Sequence, residues 1–228
     1  MVFNWFRKTT PCPNCDSQWD GYRCFRCGYI KKLSRRKSRL LAQIMAFFDP
    51  VTHSPEEIYH KQHLIPEAPG VYAWYFDNHF GTYFTANTPS PRKIVLDSAP
   101  NKEWFLLYIG IAGKRIGRTL RDRIFRDHLN QNSAGSTLRQ SLAALLWQEI
   151  NLNPAMQLNG ENEKQKLNGW IFQHARVAWV ETSEGEKIEK LMLRNFGCNL
   201  RFNIKGNRSN PGTKELQRLR RIWRKAGK

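Results

Sequence analysis

Four of the five cysteines of this 228-residue chain fall in one short block, Cys12-x2-Cys15-x8-Cys24-x2-Cys27. A segment of about 25 residues has almost no hydrophobic core of its own, so what the cysteines bind must hold it together. Each CxxC presents two thiolates to one ion, and two such knuckles complete the tetrahedral four-sulfur shell of Zn²⁺. Pro11, Pro13, Gly21 and Gly28 supply turn residues around them. Four thiolates leave no open position for water, so this zinc is expected to be structural and to drive folding of the module. A redox CxxC and a pair of disulfides are the competing readings. The doubled spacing argues against the first, and a reduced cytosolic setting argues against disulfides. Cys198 stands alone and reads as a packed thiol.

Charge divides the chain into three parts. The net charge is +18. Residues 1–40 carry +8, residues 201–228 carry +9, and the long middle is close to neutral. Two basic ends on a neutral body suit a polyanion, because each phosphate contact releases condensed counterions. The run Lys31-Lys32-Leu33-Ser34-Arg35-Arg36-Lys37-Ser38-Arg39 holds six basic residues in nine and reads as a phosphate-contacting arm or helix that continues into apolar Leu40 to Phe48. No apolar run reaches the roughly 20 residues that span a bilayer. Met1 to Thr10 lacks the apolar stretch of a secretory signal. A cytoplasmic protein with no membrane partner is the expectation.

In the middle, Gly70 to Phe76 is rich in β-formers and bounded by Pro69-Gly70 and Asp77-Asn78, which predicts a strand, and Trp104 to Ile111 and Ala175 to Val180 read as a second and a third. Residues 77–103 form an insertion with one short further strand near Lys93 to Leu96. Thr119 and Asp122 form a capping box ahead of a helix carrying Leu120, Ile124, Phe125, His128 and Leu129. Around it lie Lys114, Arg115, Arg118, Arg121, Arg123 and Arg126. Ser136-Thr137 opens a second helix, Glu184 to Asn195 a third, and Thr213 to Lys225 a basic fourth. A short helix is expected over Pro55 to Gln62. The order predicts an α+β fold: a small central three-stranded antiparallel sheet flanked by helices, with the zinc-ribbon module before it and a basic helix after it. The expected divisions are 1–40, 41–68, 69–207 and 208–228. Gly110, Gly113 and Gly117 match neither a dinucleotide-binding nor a P-loop pattern, so no nucleotide cofactor is expected.

Gly70-Val71-Tyr72 and Tyr108-Ile109-Gly110 resemble the paired signatures of the GIY-YIG nuclease superfamily. Three further features occur in the same order: the arginine-bearing segment Leu120 to Ile124, a glutamate in Ile188-Glu189-Lys190-Leu191-Met192, and a closing Phe202-Asn203. The runs 69–76 and 134–139 are similar to those of an uncharacterised bacterial subgroup. The resemblance covers about residues 69–207. It implies a metal-dependent endonuclease acting on nucleic acid, DNA in the first instance. By resemblance, Glu189 holds a catalytic Mg²⁺ or Mn²⁺ and Arg123 holds the scissile phosphate. Tyr72 is the general base, its pKa brought down from about 10 toward neutrality. Tyr108 positions water or phosphate, His128 orients a tyrosine or relays a proton, and Asn203 has a supporting place. Lys31, Lys32, Arg35, Arg36, Lys37, Lys114, Arg115, Arg118 and Arg121 are the expected nucleic-acid contacts.

Two departures from the family pattern stand out. The two tripeptides are farther apart than usual. Arg123 and His128 are five positions apart, one more than the family's spacing. On a regular helix five positions turn about 140°, which takes them off a common face. Either a one-residue bulge realigns Arg123, the reading preferred here, or Arg121 takes the role. The alternative function is a non-catalytic zinc-ribbon nucleic-acid-binding protein on a degenerate nuclease scaffold.

Overall fold

The computed structural model describes residues 34–79, 93, 94, 96, 102–113, 118–130, 136–156, 158–197, 200–207 and 210–228. Cys12, Cys15, Cys24, Cys27, Lys31, Lys32, Lys114, Arg115 and Cys198 lie outside the described residues, as does most of the 77–103 insertion. The chain divides into two units, Met1–Ala42 and Gln43–Lys228. In the first, the described part belongs to helix α1 (Arg35–Met45), with Arg35, Arg36 and Lys37 exposed.

The second unit is built on one antiparallel sheet. Strands β1 (Gly70–Asp77), β3 (Trp104–Ala112) and β4 (Ala175–Glu181) are the expected three. A two-residue edge strand, β2 (Lys93–Ile94), makes a fourth, in the order β2-β3-β1-β4. Every residue of β1 is buried. Such a strand must be central and covered on both faces, and it is: β3 and β4 flank it, and helices lie above and below. Gly70 admits this packing, since a Cβ there would stand 2.5 Å from Val180 O and 2.7 Å from Leu120 Cδ1.

On one face Tyr72, Trp74 and Phe76 of β1 join a continuous apolar core with a helix over Asp122–Asn130, α3 (Thr137–Leu146), α4 (Glu161–His174) and α6 (Pro211–Ala226). On the other face lies α5 (Gly185–Phe196), where Ile188 and Met192 are fully buried. Helix α2 (Pro55–His60) starts at Ser54, whose Oγ accepts the Glu57 N–H at 3.0 Å. The edge strand β4 is capped by His53, which exchanges backbone hydrogen bonds with Val177.

Two elements differ from the sequence reading. α4 was not anticipated, because its first turns are almost wholly polar and Gly169 interrupts it. Leu167, Trp170 and Ile171 anchor it in the core, with Phe172 packed against that core at its edge. α6 is not merely a basic extension: Leu216 and Trp223 belong to the same core as the sheet. Among the described residues no helix is long and apolar enough to cross a membrane.

Candidate active site

The sheet register seats the first tyrosine. Tyr72 pairs with Gly110 across β1 and β3. A Cβ at Gly110 would overlap the Tyr72 Cζ and Oη atoms and stand 2.8 Å from Cε1. The tyrosine of one tripeptide therefore rests on the glycine of the other, and only glycine leaves that room. β3 is itself pinned from the far side. Asn203 Oδ1 accepts the Ile109 N–H at 2.8 Å, and Asn203 Nδ2 donates to Ile109 O at 2.6 Å.

Behind Tyr72 runs a buried polar chain. Tyr72 Oη lies 2.8 Å from His128 Nε2, and His128 Nδ1 lies 2.8 Å from Ser136 Oγ. The Ser136 oxygen also accepts the Arg139 N–H at 3.2 Å as the N-cap of α3. Arg139 Nη1 donates to His128 O at 2.7 Å and to Asn168 Oδ1 at 2.5 Å. Burial, then the charges of Arg123 and Arg139, lower the His128 pKa well below the usual imidazole value, so the ring is neutral at pH 7. A proton on Nδ1 satisfies both bonds, with Tyr72 donating to Nε2.

The extra residue between Arg123 and His128 is absorbed by the backbone. Asp122–Asn130 is a π-helix, which closes from i to i+5, so residues five apart lie over one another. Its entry is fixed by the anticipated capping box. Asp122 Oδ2 accepts the Thr119 N–H at 2.9 Å and the Thr119 O–H at 3.0 Å, and Asp122 N–H donates back to Thr119 Oγ1 at 3.2 Å. Arg123 and His128 thus both meet Tyr72. Arg121 turns elsewhere: its Nε donates to Ile65 O at 3.1 Å and its Nη1 to Glu67 Oε1.

Arg123 faces a cleft of about 810 Å³ at the end of β3, lined also by Tyr108, Gly110, Arg118, Asp127, Glu189 and Lys205. Asp127, a residue the sequence reading passed over, accepts from Arg123 Nη1 and from Arg118 Nη2 at 2.5 Å. It stands four residues after Arg123, a sequence spacing at which an acid and an arginine on one helix can pair. Burial opposes the charge of Arg123, but Tyr72, Tyr108 and Asp127 outweigh it and raise its pKa.

The two phenols differ in access. Tyr72 is fully buried, whereas Tyr108 is 7% exposed and lines the cleft. Their ring centroids are 6.2 Å apart. The expectation of a lowered Tyr72 pKa does not hold in the chain by itself. Burial, followed by the neighbouring Tyr108, raises it well above the phenol range, and Arg123 opposes without prevailing. The Tyr108 pKa is also raised, by burial first, with Arg123 opposing. Glu189, on α5, is half-buried at the cleft and close enough to add to that rise.

The model of the GIY-YIG catalytic domain matches residues 70–222, well over half of the chain. The chain belongs to the GIY-YIG catalytic-domain family. No curated protein and no solved structure matches it. The GIY-YIG match runs from the first residue of β1 into the last turns of α6, so both tripeptides, the π-helix, Glu189 and most of α6 fall inside the family's span. Membership places the chain among nucleases, whose substrate is nucleic acid.

Proposed function

We propose that this chain is a divalent-metal-dependent endonuclease that hydrolyses DNA phosphodiester bonds. The convergence of Arg123, Tyr108 and Glu189 on one cleft, with Tyr72 and His128 directly behind, carries the reading. Arg123 offers a planar fork to the scissile phosphate, and Asp127 fixes its aim. Among the described residues no three His, Cys, Asp or Glu side chains form a metal cage. By the family resemblance Glu189, which lines the same cleft, is the carboxylate that would hold a cation. One carboxylate suits Mg²⁺ or Mn²⁺, which keep waters and substrate oxygens as their other ligands. When bound, such an ion supplies Lewis-acid stabilisation of the charge that develops on phosphorus.

Tyr108, rather than buried Tyr72, meets the attacking water. As the water oxygen bonds to phosphorus, its proton passes to Tyr108 Oη. The Tyr108 proton passes to Tyr72 Oη, and the Tyr72 proton to the free lone pair of His128 Nε2. The bond from phosphorus to the leaving oxygen breaks in line, and the leaving oxyanion takes its proton from solvent water. His128 is neutral at pH 7 and so can take the proton, but burial and the charges of Arg123 and Arg139 disfavour the imidazolium, so it returns the proton along the same chain once the product leaves. The four cysteines, Cys12, Cys15, Cys24 and Cys27, hold a structural Zn²⁺ in this proposal, and Lys31, Lys32, Arg35, Arg36 and Lys37 contact phosphates.

Single-turnover cleavage of labelled DNA with Mg²⁺, comparing the parent with Arg123→Ala, tests the reading. A rate loss of about 10²-fold or more is expected. Equal rates would remove Arg123 from the chemistry and the proposal with it.

A further inference from the structure

The cleft does not end at Lys205. A second depression of about 580 Å³ adjoins it, and Thr137, Ile204 and Lys205 line both. Its far wall is α6, through Gln217 and Arg220. Arg220 is held there in an unusual state. Its Nη2 donates to Gln140 Oε1, but its Nε is buried without a partner. Among the described residues no carboxylate compensates its charge. Burial, then the neighbouring Arg224, lowers its pKa to about 10, so it is still charged at pH 7. Arg218 on the same helix makes the contrast: exposed, it donates twice to Glu215, at 2.8 and 2.6 Å. A half-buried cation without a counter-charge costs free energy, and an arriving anion recovers it. Lys205 is exposed on the rim shared by the two depressions.

We propose that this second depression is a subsite for the DNA backbone flanking the scissile phosphate, with Arg220 and Lys205 as its phosphate contacts. The inference rests on the nuclease reading and deepens it: the substrate strand leaves the active cleft over Thr137 and Lys205 toward α6. Contacts of this kind position a strand without reading its bases, so the subsite adds affinity uniformly across sequences.

The test separates binding from cleavage. Affinity of the full chain for a short fluorescein-labelled DNA duplex is measured by anisotropy across a KCl series, in EDTA to prevent turnover. Each lost contact should reduce the slope of log K against log salt by about 0.9. Arg220→Gln with Lys205→Gln is therefore expected to lower it by about 1.8. Arg218→Gln, which removes one charge from the same helix, should keep the parent slope. Lys205→Glu alone, at an exposed position that places no burden on folding, should weaken binding more than Lys205→Gln. With Mg²⁺ added, the double variant should need more DNA for half-maximal rate. A double variant that binds with the parent slope overturns the subsite even where the parent cleaves. A reduced slope without any cleavage by the parent upholds the subsite and removes the nuclease proposal. A parent that binds the duplex without salt dependence overturns the subsite.

Discussion

Replacing Gly110 by alanine isolates the contact on which the site is built. The three atoms nearest a Cβ at that position all belong to the Tyr72 ring, and two of them would overlap it. Tyr72 is fully buried, so the ring has nowhere to retreat without disturbing the core. Overpacking of this kind costs about 1–3 kcal/mol. Moving the phenol also breaks its bond to His128 and leaves two buried polar groups unsatisfied, about 1–3 kcal/mol more. Gly110→Ala should therefore destabilise the domain by about 2–6 kcal/mol. In a Tyr72→Ala background the obstacle is gone. There the same change should be neutral, or stabilising by about 0.5–1 kcal/mol, because alanine loses less conformational freedom in a strand than glycine. Guanidinium unfolding followed by tryptophan fluorescence on the four proteins of the cycle measures the difference, with matching m-values as the control. Non-additivity of at least about 2 kcal/mol is expected. Additive effects would refute the claim that Gly110 exists to seat Tyr72.

Asp127→Asn should lower the saturated single-turnover rate by about 10²-fold while changing DNA affinity far less, because Arg123 keeps its charge but loses the carboxylate that aims it; a loss confined to affinity would contradict this. His128 titrates lower in the fold than when unfolded, so the unfolded chain binds more protons between the two pKa values. Its stabilising effect is complete above about pH 6.5 and lost as pH falls below that, at up to about 1.4 kcal/mol per pH unit. Unfolding of His128→Gln across that range should lack this slope; the same slope in both proteins would place the effect elsewhere. Asn203→Leu leaves the Ile109 N–H and C=O without partners in a buried place and should cost about 2–5 kcal/mol by denaturant unfolding; less than about 1 kcal/mol would mean that water replaces both bonds.

The sheet was legible because its strands are rich in β-branched and aromatic residues, and β1 is further marked by its Pro69-Gly70 and Asp77-Asn78 boundaries. The capping box at Thr119 and Asp122 and the N-cap at Ser136 were legible because each is a local bargain between a side chain and the next turn's N–H groups. The place of Arg123 was half legible. A spacing of five signals that a regular helix cannot align it with His128, but only the backbone reveals that an i→i+5 helix resolves the misfit. What the sequence withheld depends on long-range packing. α4 carries too few apolar residues to declare a face, and its Asn168 reaches back to hold Leu129 O at 2.8 Å. Arg139, a residue type expected at the surface, is 2% exposed beneath His128. The access of the two tyrosines was likewise invisible, since burial of a strand residue depends on which helix covers it.

Conversion of supercoiled plasmid to its nicked form with Mg²⁺ or Mn²⁺, with Glu189→Gln run beside the parent from identical preparations, bears most directly on the central claim. The account predicts metal-dependent nicking by the parent and none by the variant, with both retained on DNA in a gel shift. Nicking by Glu189→Gln at the parent rate would contradict it.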